Sequence, residues 1–301
     1  MDTHQTVAAG GTAGRCITLR PGEAGDAEAC GRIIHDAFAG IAAAHGFAKD
    51  IASREAGTGL ARALLGDPKT FAVVAEMDGA VVGSNFVGEG DEVRGVGPLT
   101  VDPAWQGARI GRRLVRAVLD RSHGATSVRL VQDAFNTRSL SVYASLGFEV
   151  KAPLFLVRGK PQGDLPAGAE VRPMTEADIP ACDALCHSAH AMARTHELRM
   201  AVRHLSPMVL ERRGRILGYL TAPGSWAANH GVAETEQDMA GLLAGAAAAQ
   251  RAPVSLLLPG RQAGLLRWCL AQGMQVVKPM TLMSRGAYRV PARCWVPSAL
   301  Y

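Results

Sequence analysis

The chain repeats itself. The stretch LRPGEAGDAEACGRIIH, Leu19 to His35, returns at an offset of 152 residues as VRPMTEADIPACDALCH, Val171 to His187. Arg-Pro, an Asp five residues after the Pro, Ala-Cys, and a His five beyond the Cys stand in both. Each copy reads as a short strand, a turn, an Asp cap (Asp26, Asp178) and a helix. The closing segments match at an offset of 126: SLGFEVKAPLFLV (Ser145 to Val157) against AQGMQVVKPMTLM (Ala271 to Met283). Both are a helix ended by Gly and followed by an apolar strand. Between them, FAVVAEMDGAVVGS (Phe71 to Ser84) and PMVLERRGRILGYL (Pro207 to Leu220) alternate apolar and polar around Asp78-Gly79 and Arg213-Gly214, which is a hairpin signal.

A duplicated chain folds as two similar units, so the sequence predicts a disordered tail over 1–16, a first unit over 17–158 and a linker over 159–168 (GKPQGDLPAG). The second unit then spans 169–283, and a C-terminal tail over 284–301 packs back on the body. The first copy reads strand, helix, a second helical stretch (Ile41 to Leu65), hairpin, helix (Ile110 to Arg121), strand (Ser127 to Val131), helix (Thr137 to Leu146) and strands. That order predicts an α+β architecture, a mixed sheet covered by helices, present twice.

Composition narrows the function classes. With 48% hydrophobic and 20% charged residues the chain can bury two cores. No apolar run approaches the ~18 residues of a membrane span, and the first fifteen residues lack a secretory core, so a cytoplasmic protein is expected. The net charge of +5 permits nucleic-acid binding but does not argue for it, since no basic run with interleaved aromatics is present, and no nucleic acid is expected as a partner. Six cysteines (Cys16, Cys30, Cys182, Cys186, Cys269, Cys294) are too sparse for a disulfide scaffold. Cys182 and Cys186 share a helix with no second Cys/His pair suitably placed, so buried thiols and no metal are expected.

The chemistry concentrates in VDPAWQGARIGRRLVRAVLDRS, Val101 to Ser122. Gly95, Gly97 and Pro98 interrupt the strand before it, which frees main-chain N–H groups near Leu99, Thr100 and Val101. A tight loop from Gln106 to Gly111 then opens a helix whose stripe of Ile110, Leu114, Val115, Val118 and Leu119 packs on a sheet. A helix start ringed with arginine is an anion site. An extended ligand with an anionic end and a neutral arm fits both features.

Val-x-Pro-x-x-Gln-x-x-x-x-Gly in this place resembles the coenzyme A pyrophosphate loop of GCN5-related N-acetyltransferases, whose common form is Gln/Arg-x-x-Gly-x-Gly/Ala. Gln106 and Gly111 occupy the first and last places, and Arg109 stands where the first Gly is usual. FNTRSLSVYASLGF, Phe135 to Phe148, resembles the family's Asn-x6-Tyr-x3-Gly-Phe helix. The resemblance implies two tandem domains of that fold and acetyl-CoA as cosubstrate. It assigns Leu99, Thr100, Val101, Gln106, Gly107, Ala108, Arg109, Ile110, Gly111, Arg112, Asn136 and Tyr143 to the coenzyme. Tyr143 would give the leaving thiolate its proton and Glu92, with Glu89 and Asp91 nearby, would take the amine's. His35, Phe38 and Asn85 would line the acceptor pocket. The implied partner is a primary amine of a small molecule or peptide, with no nucleic acid or membrane and a homodimer left open. The alternative is a coenzyme A-binding sensor or assembly module without turnover.

Taken singly, Asn136 reads as a helix cap, Tyr143 as a core aromatic, His35 as helix-face packing and Glu92 as an exposed strand residue. The second copy lacks the loop. It has Gln262 in place of Asn136, Cys269 in place of Tyr143, and Glu234, Glu236 and Asp238 where phosphate would bind. It is expected to keep the scaffold without the coenzyme.

Overall fold

The computed structural model describes residues 17–299, so the expected tail over 1–16 lies outside the described residues. The first copy runs β1 (Ile17–Pro21), α1 (Ala27–Ala44), α2 (Arg54–Gly66), β2 (Thr70–Met77), β3 (Ala80–Gly88), β4 (Val93–Gly95) and β5 (Thr100–Val101). It continues with α3 (Ile110–Arg121), β6 (Ser127–Asp133), α4 (Thr137–Ser145) and β7 (Glu149–Gly159). The second repeats the plan as β8 (Ala169–Pro173), α5 (Ile179–His190), α6 (Thr195–His204), β9 (Met208–Arg212), β10 (Arg215–Leu220) and β11 (Gly231–Ala233). It ends with α7 (Glu236–Gln250), β12 (Val254–Pro259), α8 (Ala263–Ala271), β13 (Gln275–Gly286) and a final short strand, β14 (Cys294–Val296). The single helical stretch expected over 41–65 is two helices, because His45 ends α1 and Ser53 caps α2 through its hydroxyl.

Compactness divides the chain differently from the repeat. One unit holds residues up to 89 with 94–128 and 136–147; the other holds 90–93, 129–135 and 148–301. In the first, an antiparallel sheet runs β1-β2-β3-β5, with α1 and α2 on it through a core of Cys30, Ile34, Ala61, Val74 and Phe86. Gly31 and Gly57 let these helices touch backbone to backbone. A Cβ on Gly31 would stand 2.3 Å from the Thr58 main chain, and one on Gly57 at 2.3 Å from the Gly31 carbonyl oxygen. In the second unit one sheet runs β14-β11-β10-β9-β8. Another places β7, the last strand of the first copy, between β12 and β13 of the second copy. Among the described residues no helix is long and apolar enough to cross a membrane.

The repeated Arg-Pro and Asp have a structural reason. Arg20 gives both terminal nitrogens to Asp26 at 2.8 Å and its Nε to Glu76 on the neighbouring strand at 2.8 Å. Arg172 does the same with Asp178 at 2.8 Å and Glu211 at 2.8 Å. Asp178 also accepts from Thr175 N and Oγ1, so one carboxylate ties β8, the turn and α5 together. The guanidinium of Arg172 holds the Asp178 carboxyl down at about 2.

A carboxyl depressed on folding stabilises the protein above its unfolded value near ~3.9, and that stability is lost as pH falls toward 2. Asp178→Asn should therefore lower stability by about 2 kcal/mol at neutral pH. It should also flatten the stability profile between pH 4 and about 2, as denaturant melts at each pH will read.

Candidate functional site

The first unit presents an open strand edge beside an uncapped helix. Thr100 and Val101 pair with Ser84 and Gly83, and Asp102 N donates to Val82 O at 2.9 Å. Antiparallel pairing alternates the main-chain groups between the two sides of a strand. It therefore turns the Val101 amide, and that of Leu99 two residues earlier, away from β3. β5 is the last strand of its sheet, so these groups face outward. Just before it the ladder is irregular: Gly97 N still donates to Phe86 O of β3 at 2.9 Å, but Gly97 adopts φ 136° and a cis bond joins it to Pro98. Thr100 turns its side chain inward, its hydroxyl 3.3 Å from that of Ser84.

After β5, Asp102 caps a single 3-10 turn through Ala104 N at 3.0 Å and accepts Arg32 of α1 at 2.9 Å. Gln106, Gly107, Ala108 and Arg109 are exposed. Gly107 takes φ 96°, and Arg109 takes the left-handed values φ 60°, ψ 14°, at the N-cap of α3. No side chain caps that helix. The amides of Ile110, Gly111 and Arg112, ahead of the first helical bond from Arg113 N to Arg109 O, open onto the loop. An anion with several oxygens suits three such amides in one turn with Arg109 and Arg112 beside them. The conformation of Arg109 also explains why glycine serves at this position: a Cβ there carries strain of ~1 kcal/mol.

Two bonds bring α4 to this loop. Arg112 donates to Ser145 Oγ at 2.7 Å, and Arg138 donates to Gln106 Oε1 at 3.1 Å while Gln106 Nε2 reaches Val101 O at 3.3 Å. Asn136 caps α4, its oxygen accepting from Ser139 N at 3.1 Å. Tyr143 is buried on the same helix, and burial pushes its phenol well above the ordinary range. The structure thus gathers Leu99, Val101, the 106–112 loop, Asn136 and Tyr143 into one unit.

The acceptor side differs from expectation. Asn85 is fully buried on the α3 face of β3: its nitrogen donates to Leu114 O at 3.4 Å and its oxygen accepts from Phe86 N at 3.0 Å. Strand alternation puts it on the face opposite α1, so it lines no pocket with His35. Phe38 packs into the core between α1 and α2, and His35 Nδ1 is held by Asp36 Oδ1 at 2.9 Å. Of the three acids, Glu89 pairs with Arg121 at 2.9 Å, and Asp91 accepts from His196 N and Glu197 N at the start of α6. Glu92 is exposed in the bend before β4.

The second copy has filled the equivalent places. Glu234 N donates to Leu217 O at 2.9 Å, the counterpart of the bond from Asp102 to Val82, so Gly231 and Ala233 correspond to Leu99 and Val101. Here the edge is covered: β14 pairs along β11, matching Gly231 with Val296 and Ala233 with Cys294. Gln262, standing where Asn136 stands in the first copy, holds Trp295 by both main-chain groups at 2.7 Å. The start of α7 is also closed, since Thr235 Oγ1 accepts from Asp238 N at 3.0 Å. No reading of motifs could find β14, because a three-residue strand far along the chain gains its meaning only from the edge it meets.

Residues 40–148 match the family model described as acetyltransferase (GNAT) family. No curated protein sequence matches the chain. A candidate acetyltransferase of Pyrococcus horikoshii is similar over 99% of this chain and 100% of its own, at 16% identity and a TM-score of 0.74. A GCN5-related N-acetyltransferase from Sphaerobacter thermophilus is similar over 94% and 96%, at 18% identity and TM-score 0.56. A tandem GNAT protein from the clavulanic acid biosynthesis pathway is similar over 89% and 98%, at 16% identity and TM-score 0.59. These likenesses show the fold in both halves.

Arg109→Gly relieves the left-handed strain of the folded loop and loosens the unfolded chain, so stability should change by less than about 1 kcal/mol. Loss of the guanidinium should weaken coenzyme A binding about tenfold by calorimetry. Unchanged affinity would place the Arg109 side chain off the phosphates.

Proposed function

As a tandem protein of the GNAT acetyltransferase fold, this chain, we propose, transfers an acetyl group from acetyl-CoA to a primary amine of a small molecule or peptide. The observation that carries this is the contiguity of the outward main-chain amides of Leu99 and Val101 with an uncapped, arginine-flanked helix start at 110–112. The first suits a pantetheine arm and thioester carbonyl, the second a pyrophosphate. When bound, acetyl-CoA supplies an activated carbonyl for direct attack by the amine.

The Val101 and Leu99 amides would hold the carbonyl oxygen as it becomes an oxyanion, the arrangement that makes such donors effective. The amine, with a pKa of ~10.4 in water, must lose a proton. We assign its removal to Glu92, directly or through water, since Glu89 and Asp91 are engaged elsewhere. Tyr143 stays protonated through the neutral range and gives its proton to the departing sulfur. The carbon–sulfur bond breaks as the carbon–nitrogen bond forms, and no acyl-enzyme is needed. Burial supports direct transfer, since it pushes the Cys30 thiol up to about 11 and Cys182, Cys186 and Cys269 up to about 12. Such thiols are poor nucleophiles, and the five free buried cysteines among the described residues suit a reducing cytoplasm.

Tyr143→Phe should lower kcat about 100-fold while the heat of coenzyme A binding stays unchanged. Glu92→Gln should lower kcat about 100-fold with coenzyme A binding unchanged. An unaltered kcat for Tyr143→Phe would take Tyr143 out of the acid role. Coenzyme A binding without thiol release for any amine would return the site to a non-catalytic module.

A further inference from the structure

The second copy contains a cluster that acyl transfer does not use. Cys186 and His190 lie one turn apart on α5, and His230 stands immediately before β11. One donor atom from each of the three lies within 4.8 Å of the others, and all three residues are buried. Around them, the Tyr219 hydroxyl is 3.2 Å from His230 Nδ1 and the Glu197 carboxylate 3.7 Å from the same atom. Trp295 of β14 packs edge-on against His190, with ring centroids 5.4 Å apart.

We propose that Cys186, His190 and His230 form a binding site for a thiophilic d10 cation of the Zn2+ class. One thiolate and two imidazoles are the donor set such ions select, in preference to the oxygen ligands of magnesium or calcium. Spacing of four on a helix turns Cys186 and His190 to one face, and the lead-in to β11 brings the third donor from another element. Tyr219 and Glu197 hold the Nδ1 edge of His230, which assigns Nε2 to the ion. A hydroxyl or carboxylate on the far ring nitrogen is the usual outer support of a ligating imidazole. Three protein donors leave the fourth, tetrahedral position to a water molecule, with the Tyr219 hydroxyl kept on the far side of the His230 ring.

Binding exchanges the S–H bond of Cys186 for a sulfur–metal bond and releases one proton to solvent, with no change of oxidation state. Glu197 is neutralised by its pair with Arg194, and Arg129 also faces the two imidazoles, so the Cys186 thiolate is the charge that meets the ion. The site departs from the sequence expectation of no metal because its donors are a Cys and a His on α5 and one distant His, not Cys182 and Cys186 with a second Cys/His pair. The Cys-x3-His spacing was readable, but the third ligand lies forty residues beyond it. Enclosure by Trp295 and Tyr219 implies that the ion enters during folding.

The test is metal content of the full, untagged chain refolded with Zn2+ and then dialysed against a chelator. About one zinc per chain should remain, and a preparation refolded with Co2+ should show thiolate-to-cobalt charge-transfer absorption. Cys186→Ser should abolish that absorption and cut retained zinc at least tenfold, whereas Cys182→Ser, one turn earlier, should change neither. If Cys186→Ser fails to fold, the cobalt spectrum of the unaltered chain still decides. Less than about a tenth of an equivalent of zinc, a cobalt spectrum without a thiolate band, or full retention by Cys186→Ser would overturn the site.

Discussion

A strand edge carries main-chain amides that need partners, and the whole arrangement follows from how each copy meets that need. The amides of Val101 and Leu99 point away from β3 at the end of their sheet, beside a helix start that no side chain closes. Their counterparts at Ala233 and Gly231 are satisfied by β14, and the adjoining helix start is satisfied by Thr235. One scaffold therefore offers a main-chain cradle to a ligand, and the other answers the same requirement from within its own chain. Gln262 completes the substitution, its single amide bonding both the donor and the acceptor of Trp295.

The scaffold itself rests on charge pairs placed identically in both copies. An Arg from the first strand bridges the Asp that starts the helix and a Glu on the adjacent strand, at Arg20 and again at Arg172. These groups are part-buried and multiply bonded, which is where charge-assisted bonds contribute most. They fix the angle at which α1 and α5 leave the sheets, and hence the face against which β5 and β11 lie. Chemistry then differs through short segments only: a loop of six residues in one copy, a strand of three in the other.

Much of this was legible in the sequence where the signal is local. The duplication, the Asp78-Gly79 and Arg213-Gly214 turns, with all four residues at positive φ, and the span of α3 follow from spacing and turn chemistry. The interruption before β5 was likewise written in Gly97 and Pro98. What failed was orientation and long-range pairing. Asn85 looked like a pocket residue because its polarity is visible and its face is not; one step of strand alternation buried it against α3. Phe38 went to the helix–helix core for the same kind of reason. The pairing of β7 with β12 and β13, and the service of Asp91 as a cap for α6, join residues that no local pattern links.

The central claim is that one cradle is open and the other is closed by the chain's own C-terminal strand. The stoichiometry of coenzyme A binding to the intact protein, measured by titration calorimetry, tests it most directly. One molecule per chain is the predicted result. Two per chain, or none, would contradict it.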